Sequence, residues 1–407
     1  GSEMCIRDSS YLDDFFTLYI IYKTSKPVKS RQLYNSFVKL FKDSGYSQES
    51  SLQELRYYAG IYGAFVYESP KYSEPIRRCL RKLRILNQTT CYPFLLHVFD
   101  DFNNGVIDEH TVEKVLNLIL AYLIRRLVCG VPSNTLRGLF TYLYNRIFKV
   151  TSNKQKYYQT LNKFLFTVSS KDVIPSESEF ARALQTAKIY GNNVLCRFLL
   201  LDIENGDGKE VLQPENLTIE HIMPQTLSAD WSHIKPEEHE EYVHTLGNLS
   251  VTGYNPELSN KSFIEKREII RENSKAVILN SDVLDKESWT IKDIRNRARR
   301  LAGIITSRYK IERIEDDAIE FDYVETLTLD DYDDITGKKL VSFKLFGETY
   351  RQKRYALMLL DVIKILDKKC PGKLEELAGK KYSFTTRRKH VHINTDGEGM
   401  RWPWKVK

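Results

Sequence analysis

Between residues 10 and 205 apolar side chains recur at three- and four-residue spacing, the pattern of helices that bury one face. The pattern predicts helices within 15–23, 30–42, 52–67, 110–130, 131–148, 176–190 and 192–205. Gly130 supplies a stop, and Pro132 and Ser133 supply start signals for the next segment. No strand-like alternation and no fixed-period repeat interrupts this region. The Tyr and Phe stripes read as core packing, Arg125-Arg126 as a salt-bridged surface pair with phosphate contact as the alternative, and His110 as a helix-start residue. The turn-forming run at 205–210 is the first expected domain boundary.

Beyond it the periodicity returns over 262–273 and 289–309, the latter strongly basic on one side. Residues 312–334 hold eleven carboxylates and one arginine. Within them 318–329 alternates at period two, which suits a charged edge strand or a linker better than a metal site. Val341, Phe343 and Leu345 then alternate as in a strand, 353–369 reads as a helix with a short one after Pro371, and 381–407 reads as strands and turns.

Composition narrows the class. Hydrophobic content of 42% suits packed domains over 407 residues. No apolar run approaches the roughly eighteen residues of a membrane span, and no secretory h-region opens the chain. Six scattered cysteines without a CxxC pair argue for reduced thiols, a cytoplasmic setting and no zinc ribbon. The first nine residues read as a tag scar or artefact. Charge is uneven: 336–407 carry 18 Lys and Arg against 7 Asp and Glu, whereas the other residues carry 43 against 47. A basic C-terminal module on a near-neutral body suits a polyanion partner, with a solvated surface as the alternative. There Arg387, Arg388 and Lys389 are interleaved with Tyr382, Phe384, Trp402 and Trp404, which suits phosphate contact and base stacking, although a structural cap fits as well.

Residues 218–266 carry the candidate chemistry. An acid-histidine pair, Glu220-His221, is closed by Pro224; Gly247-Asn248 follows, then Asn255, Asn260 and Lys266 on an expected helix. These are the parts of a phosphodiesterase site. A neutral imidazole accepts a proton at neutral pH, and a divalent ion on one carboxylate and one amide oxygen keeps positions open for water and phosphate. Oxygen ligands favour Mg²⁺ or Mn²⁺. In this reading His221 is the base, Glu220 and Asn260 hold the ion, and Asn248 holds the loop and the imidazole. Lys261 and Lys266 join the basic C-terminal residues as expected DNA contacts. Each has a plainer reading: a structural histidine, a helix cap at Asn260, a turn at Asn255. Asn255 is also the second candidate for the ligand, and His233, His239 and His244 read as surface or supporting groups. Adjacent strand residues face opposite ways, so Glu220 and His221 share a site only at a strand end or bulge. Gly247 is expected to permit a tight turn.

The sequences IEHIMPQ and HTLGNLSVTGYNPELSNKSFIEK resemble the HNH-type, or ββα-metal, nuclease domain of GmrSD-like modification-dependent restriction endonucleases. The likeness extends outward through YLIRRLVCGVPSNTL, IPSESEFARAL and NNVLCRFLLLDIEN on one side and WTIKDIRNRARRLAGIITSRY on the other, covering about 11–310. The resemblance implies the same roles for His221, Glu220, Asn248 and Asn260, with Asn at the third motif position where many relatives carry His. It also implies a ParB/sulfiredoxin-like, nucleotide-hydrolysing domain or subunit with a DGQQR-type motif. That motif does not occur here, so the chain reads as a C-terminal portion or truncated product.

The expected fold is mainly α with α+β parts. The expected segments are 1–10 as artefact, 11–210 as a helical domain, 211–310 as the nuclease, 311–335 as an acidic linker or edge strand, and 336–407 as a basic α/β module. The expected function is metal-dependent cleavage of foreign or modified DNA in anti-phage defence, nicking one strand per site, with a homodimer for a double-strand break. The rivals are a non-catalytic DNA-binding or regulatory fragment, and an RNase.

Overall fold

The structure is a computed structural model that describes residues 2–45, 47–148, 151–168, 171–206, 212, 217–253, 260–319, 321, 340–372, 382–387 and 390–395. Residues 1–323 form one compact unit and 324–407 a second.

The first unit begins with ten helices: α1 (Ser2–Thr24), α2 (Leu33–Ser44), α3 (Gln48–Val66), α4 (Glu74–Ile85), α5 (Tyr92–Asn103), α6 (Glu109–Val128), α7 (Leu136–Phe148), α8 (Tyr157–Thr167), α9 (Glu177–Thr186) and α10 (Asn193–Asn205). The helix α6 is the axis of this bundle. Asp108 caps it by accepting the Thr111 N–H at 2.8 Å, and thirteen of its twenty residues are buried because α4, α5, α8 and α9 surround it. Arg125 and Arg126 correct the surface-pair expectation, since both are buried. Arg125 donates to the carbonyls of Pro175 and Tyr309 and to Glu177, and Arg126 donates to the carbonyls of Lys171 and Pro132. Buried guanidinium groups need such acceptors.

A two-stranded antiparallel sheet follows, β1 (Thr218–His221) against β2 (Leu249–Thr252), with Glu220 opposite Ser250 and His221 opposite Leu249. Between the strands runs a 27-residue connection containing α11 (Pro236–Tyr242), and after β2 come α12 (Phe263–Asn273), α13 (Val277–Leu284) and α14 (Ile291–Arg308). Capping boxes at Ser262 and Thr290 start α12 and α14. The bundle core continues through Ile219, Leu246, Leu249, Val251, Leu279, Leu301 and Ile305. The hydrophobic contacts therefore run straight across the boundary expected at 210, and the strands sit on the helical core rather than beside it. A second cluster, including Ile222, Met223, Trp231, Phe263, Trp289 and Ile294, fills the space between the connection and the last helices. Asp202 on α10 pins the end of α14 through Arg308 at 2.8 Å and Tyr309 Oη at 2.9 Å, and holds Lys82 of α4 at 2.7 Å.

The described start of the acidic segment is tied to α8: Lys156 meets Asp316 at 2.7 Å, and Lys163 donates to the carbonyls of Asp316 and Ile319. Most of the alternating stretch 318–329 lies outside the described residues. The second unit contains β3 (Ser342–Leu345) paired with β4 (Glu348–Arg351), then α15 (Tyr355–Lys369), then β5 (Tyr382–Arg387) paired with β6 (His390–Thr395). The chain turns between β3 and β4 at Phe346 and Gly347, both with positive φ. The short helix expected after Pro371 falls largely outside the described residues.

Candidate active site

The site is built where β1 ends. Both Glu220 and His221 are buried, and alternation along the strand sends their side chains to different partners. The Lys266 ammonium, on α12, donates to Glu220 Oε1 at 2.6 Å and to the His221 carbonyl at 2.7 Å. Lys266 is itself completely buried, which corrects its expected role as a DNA contact: the helix that carries it packs on the strand, so the charge is spent on Glu220. Burial raises the Glu220 carboxyl above its ordinary value, with Lys266 opposing the rise, and burial lowers the Lys266 ammonium, with Glu220 opposing.

The imidazole of His221 takes the other side. Its Nε2 lies 3.1 Å from His244 Nδ1, and its ring meets those of His244 and Tyr190 edge-on, with centroids 5.2 Å and 4.5 Å away. Tyr190 stacks on His244 at 8° and donates its backbone N–H to the His244 carbonyl at 3.4 Å. Burial, assisted by His244, Lys266 and His239, holds His221 down to about 3, so the ring is neutral across ordinary pH. Burial, with Lys188 and His239, also lowers His244. His244, read from the sequence as a surface or supporting group, is a supporting one here, and Tyr190 is a contact that the sequence does not single out. The signal available for His244 was its place three residues before Gly247, whereas Tyr190 comes from a turn between α9 and α10 that nothing local connects to the site.

Asn248 is fully buried and clamps the chain after β1. Its Oδ1 accepts the Met223 N–H at 2.8 Å, and its Nδ2 donates to the carbonyls of Met223 and Val243 at 2.8 and 2.9 Å. It therefore holds the loop as expected, whereas the imidazole is held by His244. Gly247 also has a different reason from the expected one. It lacks a positive φ, but a Cβ there would stand 2.2 Å from the Ile294 carbonyl of α14. Arg297 of the same helix, buried, donates to the carbonyls of Leu246, Gly247 and Leu279. His239 and His233 each hold a carbonyl, of Pro224 at 2.8 Å and of Trp289 at 3.0 Å.

The helix α12 begins at Phe263 with Ser262 as its cap, so Asn260 stands in an exposed turn before it, and neither of the two helical roles considered for Asn260 is realised. Asn255 lies outside the described residues. Lys261 remains exposed, 3.9 Å from Glu265. Arg387 ends β5, while Arg388, Lys389, Trp402 and Trp404 lie outside the described residues. As placed, Glu220 is paired with Lys266, and Asn260 is exposed. Among the described residues no group of three or more His, Cys, Asp or Glu could hold a metal ion. No described helix is long and apolar enough to cross a membrane.

Residues 174–304 match the family described as GmrSD restriction endonucleases, C-terminal domain. The matched span begins before α9 and runs into α14, so it encloses Tyr190 together with β1, β2 and the clamp. No curated protein matches the chain.

Proposed function

We propose, on the premise that residues 174–304 are the C-terminal domain of a GmrSD-like type IV restriction endonuclease, that the chain hydrolyses DNA phosphodiesters with His221 as general base. The observation that carries this reading is a buried imidazole at the end of β1, inside the matched span, on a loop locked by Asn248 and 3.1 Å from His244. The imidazole takes a proton from water, the water oxygen bonds to phosphorus, the bond from phosphorus to the 3′ oxygen breaks, and solvent protonates the leaving oxygen. The products are a 3′-hydroxyl and a 5′-phosphate. We assign the β1–β2–α12 segment to the HNH-like ββα-metal class as part of the same proposal.

A Mg²⁺ or Mn²⁺ requirement, with Glu220 and Asn260 as ligands, belongs to the proposal, but no step is drawn through an ion because Lys266 holds the carboxylate. Exposed Lys261 and the basic residues Arg387, Arg388 and Lys389 are the proposed DNA contacts. One site per chain nicks one strand; a homodimer would cut both. Modified DNA as substrate, a ParB-like nucleotide-hydrolysing partner, anti-phage defence and a cytoplasmic setting follow from the family reading.

The test is incubation with supercoiled plasmid and Mg²⁺ or Mn²⁺, beside EDTA and His221→Ala. The expected result is open circle from the wild type, abolished by EDTA and slowed on the order of 10²- to 10⁴-fold in the variant. Equal nicking by His221→Ala overturns the base assignment, and DNA binding without cutting by the wild type overturns the nuclease reading.

A further inference from the structure

We propose that His244, braced by Tyr190, is the positioning residue for His221, and that this arrangement makes Nδ1 of His221 the proton acceptor. The proposal rests on the reading of His221 as the base and adds which nitrogen acts and what holds it.

The geometry carries the argument. Between His221 Nε2 and His244 Nδ1, 3.1 Å apart, there is room for one shared proton. If His244 donates it, neutral His221 must carry its own proton on Nδ1, and neither ring nitrogen is left to accept from water. If His221 donates it, Nδ1 keeps a bare lone pair, and among the described residues no side chain or backbone group is hydrogen-bonded to that nitrogen. Only the second arrangement gives a working base. It also gives His244 a defined tautomer, with its proton on Nε2. His244 thus fixes the tautomer and direction of the ring while Nδ1 faces the incoming proton, as the third member of a nucleophile–base–orienter set does.

Tyr190 supplies the rigidity. Its ring lies flat on His244 and edge-on to His221, and its backbone N–H holds the His244 carbonyl. Tyr190 thus packs against both rings in the orientation that the 3.1 Å contact requires. A histidine present only for packing would not need its nitrogen aimed at another imidazole.

The experiment uses the full chain labelled with ¹⁵N-histidine, with His221 identified among the eight histidines by its loss in His221→Ala. The expected wild-type signal is His221 protonated on Nε2 and bare on Nδ1. His244→Ala should release this tautomer preference and slow plasmid nicking at saturating DNA on the order of 100-fold, with the DNA concentration for half-maximal rate unchanged. His244→Asn, whose amide oxygen reaches the place of Nδ1, should restore both the tautomer and most of the rate, and Tyr190→Phe should behave as wild type. A wild-type His221 protonated on Nδ1, an unaffected rate in His244→Ala, or no rescue by Asn overturns the proposal. Absence of nicking by the wild type would instead sink the nuclease reading, while the tautomer measurement still decides the role of His244.

Discussion

Glu220 and Lys266 meet at 2.6 Å with side chains 5% and 0% exposed, so both charges have left water. The directions of their shifts agree: burial outweighs the partner for each, raising the acid and lowering the amine. An acid raised in the folded state contributes stability at low pH and loses it as pH rises through its folded value; an amine that is lowered contributes only at alkaline pH. At neutral pH the pair is therefore a cost that each partner limits for the other. Lys266→Met alone should destabilise the protein by about 3–5 kcal/mol at pH 7, because an unpaired carboxylate stays buried. The deficit should shrink on acidification, as Glu220 takes up a proton. Lys266→Met combined with Glu220→Gln should recover most of the loss, measured by urea unfolding. A double variant as unstable as the two losses added would mean that the pair is independently stabilising. The same variants locate an ion: Mn²⁺ should raise the melting temperature of Lys266→Met and not of the double variant if Glu220 is a ligand.

The turn 246–248 and α14 form the contact on which the loop geometry depends. Gly247 lets the helix backbone come close, and Arg297 ties three carbonyls to the same helix. Gly247→Ala should cost about 1–3 kcal/mol through overpacking and should also lower nicking, since Asn248 and His244 flank the same turn. Thermal melting and the plasmid assay check the two effects, and a variant with wild-type melting would sink the close-approach argument. Much of this element structure was legible in the chain. Three-to-four periodicity found α1, α6, α9 and α10, and the capping pattern before α12 and α14 is local. The periodic reading passed over α4, α5 and α8, although Ile76, Cys79, Leu80 and Leu83 of α4 keep the same three- and four-residue spacing. At the site, Glu220, His221 and Asn248 could be named from their types and order. Lys266 looked like a surface cation because burial depends on α12 packing over β1. Tyr190 could not be found because its contact with His244 is made by tertiary folding alone.

At the scale of the whole molecule, the two distant parts of the first unit share an acid weakness. His97 on α5 lies between the rings of Tyr144, stacked at 4.1 Å, and Tyr22 at 4.3 Å. Burial, with Lys154 adding to it, holds His97 down to about 3, and burial likewise holds His221 at about 3, from an ordinary value of 6.5. Each ring is neutral when folded and takes up a proton when unfolded below 6.5. A group lowered in the folded state gives stability that is full above its unfolded value and is lost as pH falls toward its folded value. Each histidine should thus remove about 1.4 kcal/mol of stability per pH unit once pH is below 6.5. This window lies above that of ordinary carboxylates, so the two effects separate. Melting of the chain in EDTA, followed from pH 7.5 to 5, should show a declining temperature for the unit formed by residues 1–323. His97→Phe and His221→Gln should each reduce the decline, and the double variant should remove most of it between pH 6.5 and 5, the rest belonging to His244, which burial also lowers. An unchanged decline in the double variant would mean that other groups carry the acid sensitivity. A decline removed by His221→Gln alone would mean that the bundle tolerates a charged His97, through local opening around the Tyr22–Tyr144 stack.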